Sequence, residues 1–123
     1  MKRSMLALAA AACLAGAPAL AGETAIRIGV LNDQSGTYAD FGGLTSVDAA
    51  RMAVEDFGGN VLGKKIEILA ADHQNKPDVG SSIARQWFDV ENVDAIADLT
   101  NSAVALAVQD LARQRGKITL ASG

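Results

Sequence analysis

Hydrophobic and polar positions change period several times along the chain. Residues 26–31 (Ile-Arg-Ile-Gly-Val-Leu) are rich in β-branched side chains and run into the turn-forming stretch Asn32-Asp33-Gln34-Ser35-Gly36, which predicts a strand. Over 44–57 the period becomes helical, with Val47, Ala50, Val54 and Phe57 at steps of three and four. Asp48, Arg51 and Glu55 fall on the opposite side, and Gly58-Gly59-Asn60 stops the helix. Residues 65–71 alternate into a second strand that ends in Asp72-His73-Gln74-Asn75-Lys76-Pro77. Asp78 is the expected cap of a second helix with Val79, Ile83, Trp87 and Val90 on its inner face. The short apolar stretch 94–99 reads as a buried strand. Thr100-Asn101-Ser102 offers three cap residues before a third helix with Val104, Val108 and Leu111 inside, Arg113 and Arg115 near its end, and Gly116 closing it. Residues 117–121 open a fourth strand.

Alternating strands and helices imply right-handed crossovers, hence an α/β fold: a parallel, Rossmann-like sheet with helices on both faces. The common winding places the second strand outside the first and the third on the other side. Ligands of such sheets bind beyond the carboxyl ends of the strands where the order reverses. Here that crevice is bounded by the loops 32–41 and 100–102 and by the end of the fourth strand at 121–123.

The first 21 residues follow another logic. Lys2 and Arg3 precede an apolar run over 5–15; Pro18 breaks it, and Ala19-Leu20-Ala21 supplies an A-x-A site. This is the layout of a secretory signal peptide cleaved between Ala21 and Gly22, and the run is too short for a membrane span. Cys13, the single cysteine, has no Leu three residues before it, so it reads as part of the leader rather than a lipidation site. Loss of Lys2 and Arg3 reduces the eleven basic side chains to nine against fourteen acidic, moving the charge from −3 to −5. A cysteine-free acidic chain must be held by a packed core, and it disfavours nucleic acid as a partner.

The crevice loops carry the candidate chemistry. The loop 35–43 is rich in Gly and hydroxyls but matches neither a phosphate loop nor the dinucleotide glycine spacing. Its Tyr38 and Phe41 are placed either to cover a small ligand or to staple the helix start. The third helix start presents unpartnered N–H groups and the positive end of the dipole, beside Asn101 and Ser102; a ligand carboxylate fits there. A helix cap needs only one of Thr100, Asn101 and Ser102. Catalysis and metal binding have little to build with. His73 is the only histidine, expected as a solvated loop residue, and no cysteine survives processing. Asp33, Asp72 and Asp98 near strand ends resemble the acidic pocket of a phospho-receiver domain, a cytoplasmic family at odds with the export signal. An exported hydrolase would need more than His73, and a sensor ectodomain would need a true transmembrane helix. No cofactor or metal is implied.

An ordered series of motifs adds a resemblance. Ile26-Arg27-Ile28-Gly29-Val30-Leu31, Ser35-Gly36, Phe41-Gly42, Asp48-Ala49-Ala50, the stretch 58–66, the stretch 72–77 and Asn101-Ser102 resemble the opening of a branched-chain amino-acid-type periplasmic binding protein. The resemblance spans 22–123 and implies part of the first lobe of a type I periplasmic binding protein. Such proteins close two hinged lobes on a small solute in the periplasm and deliver it to the membrane permease of an ABC importer. It also implies a ligand that is an amino acid, or another small carboxylate or amide. By position, the groups that hold its carboxylate fall on Asn101 with Ser102 and on Ser122 with Gly123, and the aromatic cover falls on Phe41. The leucine-type members have Ser and Tyr where this chain has Asn101 and Phe41. A complete member is roughly three times longer.

Overall fold

The computed structural model describes residues 24–122, so the leader with its cleavage site and Cys13, together with Gly123, lies outside the described residues. The elements are β1 (Ile26–Asn32), α1 (Gly43–Phe57), β2 (Asn60–Val61), β3 (Lys64–Asp72), α2 (Pro77–Asp89), β4 (Ala95–Asp98), α3 (Ser102–Arg115) and β5 (Ile118–Ala121). The sheet order is β2-β3-β1-β4-β5. β1 pairs in parallel with both β3 and β4, β4 pairs in parallel with β5, and β2 forms a two-residue antiparallel hairpin arm on β3. The order reverses between β1 and β4, as the alternation predicts. The β2 arm is too short to leave a period in the sequence.

Pleating sends β1 side chains alternately to two unlike faces. Leu31 joins Ile96, Leu99 and the inner sides of α2 and α3, including Ala84, Trp87, Phe88, Val104 and Val108, in one buried cluster. Side chains of this size contribute about 1.5–3 kcal/mol each when fully buried, so this layer supplies most of the driving force. Among the described residues, the other face, with Ile28, Val30, Ile66 and Ile68, is covered only by α1, of which just Gly43 and Val47 are buried. Two hollows of about 280 and 330 Å³ open beside α1 over this face. The smaller lies between the start of α1 and the ends of β4 and β5, beside Ser46, Asp98 and Ser122; the larger lies over the middle of the sheet, and both mark incompletely covered apolar surface.

Three sequence expectations change. Phe57 is 65% exposed: it sits at the last turn of α1, beside a hollow over β1 and β3 that no described residue fills. Val90 is the C-cap of α2 and is exposed, while Phe88 takes the inward position. The cap of α2 is Lys76 rather than Asp78: Pro77 starts the helix, which places Asp78 in the first turn, where its charge favours the dipole. The third helix matches its expected pattern, with Val104, Val108 and Leu111 buried and Gly116 closing it at φ 62°.

Candidate functional site

The three helices all begin at the carboxyl end of the sheet, and the first and third starts abut. A Cβ on Gly42, the N-cap of α1, would lie 3.1 Å from Cγ2 of Thr100 and 3.5 Å from Oδ2 of Asp98. No side chain caps α1. At α3, the Ala105 N–H donates to the Asn101 carbonyl at 2.8 Å as the first helical bond. The N–H groups of Ser102 and Ala103 precede that bond, and both residues are exposed. Two helix starts therefore turn their donors and positive ends to one crevice between β1 and β4.

The loop from β1 is shaped from inside. Asp33, fully buried, accepts N–H bonds from Gly36 at 2.7 Å and Tyr38 at 2.9 Å. Gly36 is required there, since a Cβ would fall 2.6 Å from an Asp33 carboxylate oxygen. The loop so folded carries Tyr38, 41% exposed, and Phe41, 85% exposed.

Asp98 ties three strand ends together. Its carboxylate accepts from the Asn32 amide at 2.9 Å and from the Ser122 hydroxyl at 2.6 Å, and its carbonyl accepts the Ser122 N–H at 2.9 Å. The carboxylate of Asp72 accepts from the Ser35 hydroxyl at 2.5 Å and from the N–H groups of Gln34 at 3.0 Å and Gln74 at 2.7 Å. Burial pushes its pKa upward, but these bonds outweigh burial and hold it below the ordinary 3.8. Asp33, Asp72 and Asp98 are thus spent on loop structure rather than gathered as an open acidic pocket.

The Asn101 side chain is likewise committed. Its Oδ1 accepts the Val104 N–H at 3.0 Å, and its Nδ2 donates to Oδ1 of Asn75. Asn101 is the cap of α3 and a strut to the β3–α2 loop, while the neighbouring Ser102 hydroxyl faces solvent. Ser122 has both its N–H and its hydroxyl on Asp98, which leaves neither free for a ligand.

His73 corrects the sequence reading: it is fully buried, not solvated. The polar run 72–77 suggested a loop in water, but α2 and α3 close over its second residue. A Cβ on Gly80 would sit 2.6 Å from Cγ1 of Val104 and 3.5 Å from the His73 Cβ. The imidazole Nδ1 accepts the Asn75 N–H at 3.0 Å, and Nε2 has no protein partner. Burial lowers its pKa from 6.5 against the pull of Asp33, Asp72 and Asp98, so the neutral ring is favoured.

Two features mark this edge, though left-handed backbone also occurs at Leu62 and Asn92 elsewhere in the fold. Asn32 Oδ1, Gln34 Nε2, His73 Nε2 and Thr100 Oγ1 are buried without a protein partner, and all four lie at the ends of β1, β3 and β4. Gln74, Asn75, Asp98 and Leu99 all adopt positive φ, between 52° and 82°, at the ends of β3 and β4. Left-handed backbone at non-glycine residues costs on the order of 1–3 kcal/mol each and gathers where function demands a shape. The amino-acid pattern offered Thr100, Asn101 and Ser102 as cap residues; it gave no sign of the bond between Asn75 and Asn101, which joins distant loops.

A doubly wound α/β lobe with a polar, strained crevice at its switch point is the class of protein this geometry defines. The chain belongs to the periplasmic binding protein family, whose model matches residues 25–123. A periplasmic binding protein from Burkholderia mallei is 45% identical, with a TM-score of 0.75 over 77% of this chain and 25% of that one. A branched-chain amino acid ABC transporter periplasmic ligand-binding protein from Burkholderia xenovorans LB400 is 47% identical, with a TM-score of 0.74 over 76% of this chain and 25% of that one. An ABC transporter solute-binding protein from Rhodopseudomonas palustris BisB5, in complex with 3,4-dihydroxybenzoic acid, is 28% identical, with a TM-score of 0.71 over 80% of this chain and 28% of that one. The chain spans about a quarter of the length of these relatives. No curated protein matches it.

Proposed function

We propose that this chain forms part of the first ligand-binding lobe of an extracytoplasmic solute-binding protein that passes a small carboxylate-bearing solute to an ABC importer. The observation that supports this reading is the exposed start of α3 beside the start of α1, with the Ser102 and Ala103 N–H groups preceding the first helical bond. In this reading those two N–H groups and the Ser102 hydroxyl hold the carboxylate. Asn101 fixes the helix start, Ser122 and Asp98 fix the strand ends, and Phe41 with Tyr38 covers the rest of the solute. The backbone at Gly123 completes the anion site in the same reading. The protein acts by binding rather than by catalysis. Its partners are the solute and the membrane permease, reached in the periplasm after removal of residues 1–21.

An amino acid is the favoured solute, because the Burkholderia xenovorans relative is described as a branched-chain amino acid transporter component. A second reading, an aromatic acid, is favoured by the exposed Phe41 and by the dihydroxybenzoate complex of the Rhodopseudomonas relative. Calorimetric titration of the full-length protein with L-leucine, L-leucinamide, benzoate and 3,4-dihydroxybenzoate separates them. Binding of leucine but not leucinamide supports an amino acid held by its carboxylate. Saturation by leucinamide alone would remove the carboxylate from the proposal.

A further inference from the structure

Between the buried core and the α3 start runs a chain of hydrogen bonds that the binding site does not itself require. The Asn75 N–H donates to Nδ1 of His73 at 3.0 Å, the Asn101 amide donates to Oδ1 of Asn75, and Oδ1 of Asn101 accepts the Val104 N–H at 3.0 Å. Asn75 holds its place with φ at 57°, a left-handed turn that Asn tolerates better than most residues. The first link requires a bare Nδ1. A protonated imidazole carries hydrogen on both nitrogens, so Nδ1 then faces the Asn75 N–H as donor against donor.

We propose that His73 is a positioning residue for the α3 start and makes it acid-sensitive: the neutral ring latches Asn75, and Asn75 with Asn101 caps the helix. Protonation opens the latch.

The surroundings fit such a device. The charged groups acting on the ring are Asp33 from the β1 loop, Asp72 from β3 and Asp98 from β4, all of them carboxylates that favour the imidazolium. The elements that close over it, α2 and α3, present Gly80 and Val104, which carry no charge. Lys76 lies on the same loop, exposed, with its ammonium directed to the Gln74 side chain at 3.5 Å. Burial thus keeps the ring neutral while the latch is shut, and three carboxylates stand ready to receive its charge once the loop gives way. Nε2, without a protein partner, offers no second bond to hold the ring as it charges.

The consequence for solute binding rests on the function proposed above; the latch itself does not, and it is tested without any ligand. Because protonation and the closed latch exclude one another, the opening constant rises about tenfold per pH unit below the free-imidazole range near 6.5. Amide hydrogen exchange on the isotope-labelled full-length protein, corrected for intrinsic rates, reads this directly. Protection at Asn75 and Val104 should fall about tenfold per pH unit between about pH 6.5 and 5, while Val108, deeper in α3, keeps its protection.

Two variants divide the outcomes. His73→Asn keeps an acceptor near the Nδ1 position but cannot titrate, so Val104 protection should become independent of pH. Asn75→Gly keeps the turn and its N–H but removes the middle link, so Asn75→Gly should lower Val104 protection at neutral pH and abolish its pH dependence. If Val104 protection is flat with pH in the parent, the latch is overturned. The same holds if Asn75→Gly leaves the parent profile intact, and this second variant decides the matter should His73→Asn fail to fold.

Discussion

The indole of Trp87 on α2 lies directly on the backbone of Gly29 in the middle of β1. A Cβ placed on Gly29 would fall 2.2 Å from Cζ3 of the ring and 2.4 Å from Cε3. The largest side chain of the chain thus occupies the space that any other residue at position 29 would need. This contact sets how closely α2 approaches the sheet, and through α2 the place of the loop that bears His73 and Asn75.

Gly29→Ala should therefore destabilise the protein by about 1–3 kcal/mol, the cost of overpacking a filled core. Trp87 is the only tryptophan, so its fluorescence during urea unfolding measures the change. Gly63→Ala is the comparison: beyond its chain neighbours no described atom lies within 4 Å of its Cβ, and only the strain of φ at 74° opposes it, about 1–2 kcal/mol, with no overpacking.

Much of this arrangement was legible from periodicity alone. Val104, Val108 and Leu111 mark the inner side of α3, Gly58 and Gly116 end their helices, and the alternation of elements gives the sheet order. What stayed hidden depends on contacts between distant segments. His73 sits in a polar run that reads as solvated, and only Gly80 and Val104, brought over it by two helices, bury it. Asn75 meets Asn101 across 26 residues because of a left-handed turn that no pattern of apolar positions encodes. Phe57 fits the helical stripe yet stays exposed, since a period says which side of a helix is apolar but not whether anything covers it. At the crevice, Asn101 and Ser102 were visible as cap residues, but their division of labour was not: one side chain is used up inside the fold and the other faces solvent.

That division predicts different responses at the α3 start. Asn101→Ala removes the bond to the Val104 N–H and strands the Asn75 amide, so it should cost about 1–2 kcal/mol in chemical denaturation. Asn101→Asp retains the capping oxygen but not the donor to Asn75, so it should recover only the capping part of that loss. Ser102→Ala removes an exposed hydroxyl and should change stability by less than about 0.5 kcal/mol.

Acid should weaken the fold in two stages with distinct origins. The folded-state pKa of His73 is lowered below 6.5, chiefly by burial, so the unfolded chain binds the proton first. Its contribution is complete above that value and is lost as pH falls through it toward the folded-state pKa, at no more than about 1.4 kcal/mol per pH unit. The folded pKa of Asp72 is also lowered, below 3.8, so its contribution is present above that value and disappears as pH drops through the folded pKa. Urea midpoints measured across the acid range should fall in both windows. His73→Asn should remove the upper step alone; an upper step that persists in this variant would assign it to another group.

The start of α3 permits a sharper test of anion binding than removal of side chains. Ser102 is the first residue of the helix, and the preceding Asn101 is extended, with φ −113° and ψ 123°. Proline is well tolerated at this position, and the residue before a proline prefers that extended region. Ser102→Pro should therefore leave the helix and the Asn101 cap intact while deleting a backbone N–H that faces the crevice. Ser102→Ala removes the hydroxyl alone and Ser102→Pro the hydroxyl and the N–H. A hydrogen bond to a charged acceptor is worth about 1.5–3 kcal/mol, so Ser102→Pro should bind carboxylates roughly ten- to a hundredfold more weakly than Ser102→Ala. Asp110→Ala, two turns along the same helix on its exposed side, should leave affinity unchanged. Calorimetry on the full-length protein, with leucine and 3,4-dihydroxybenzoate as probes, measures both. A Ser102→Pro protein that melts like the parent and binds either probe equally well would move the anion away from this helix.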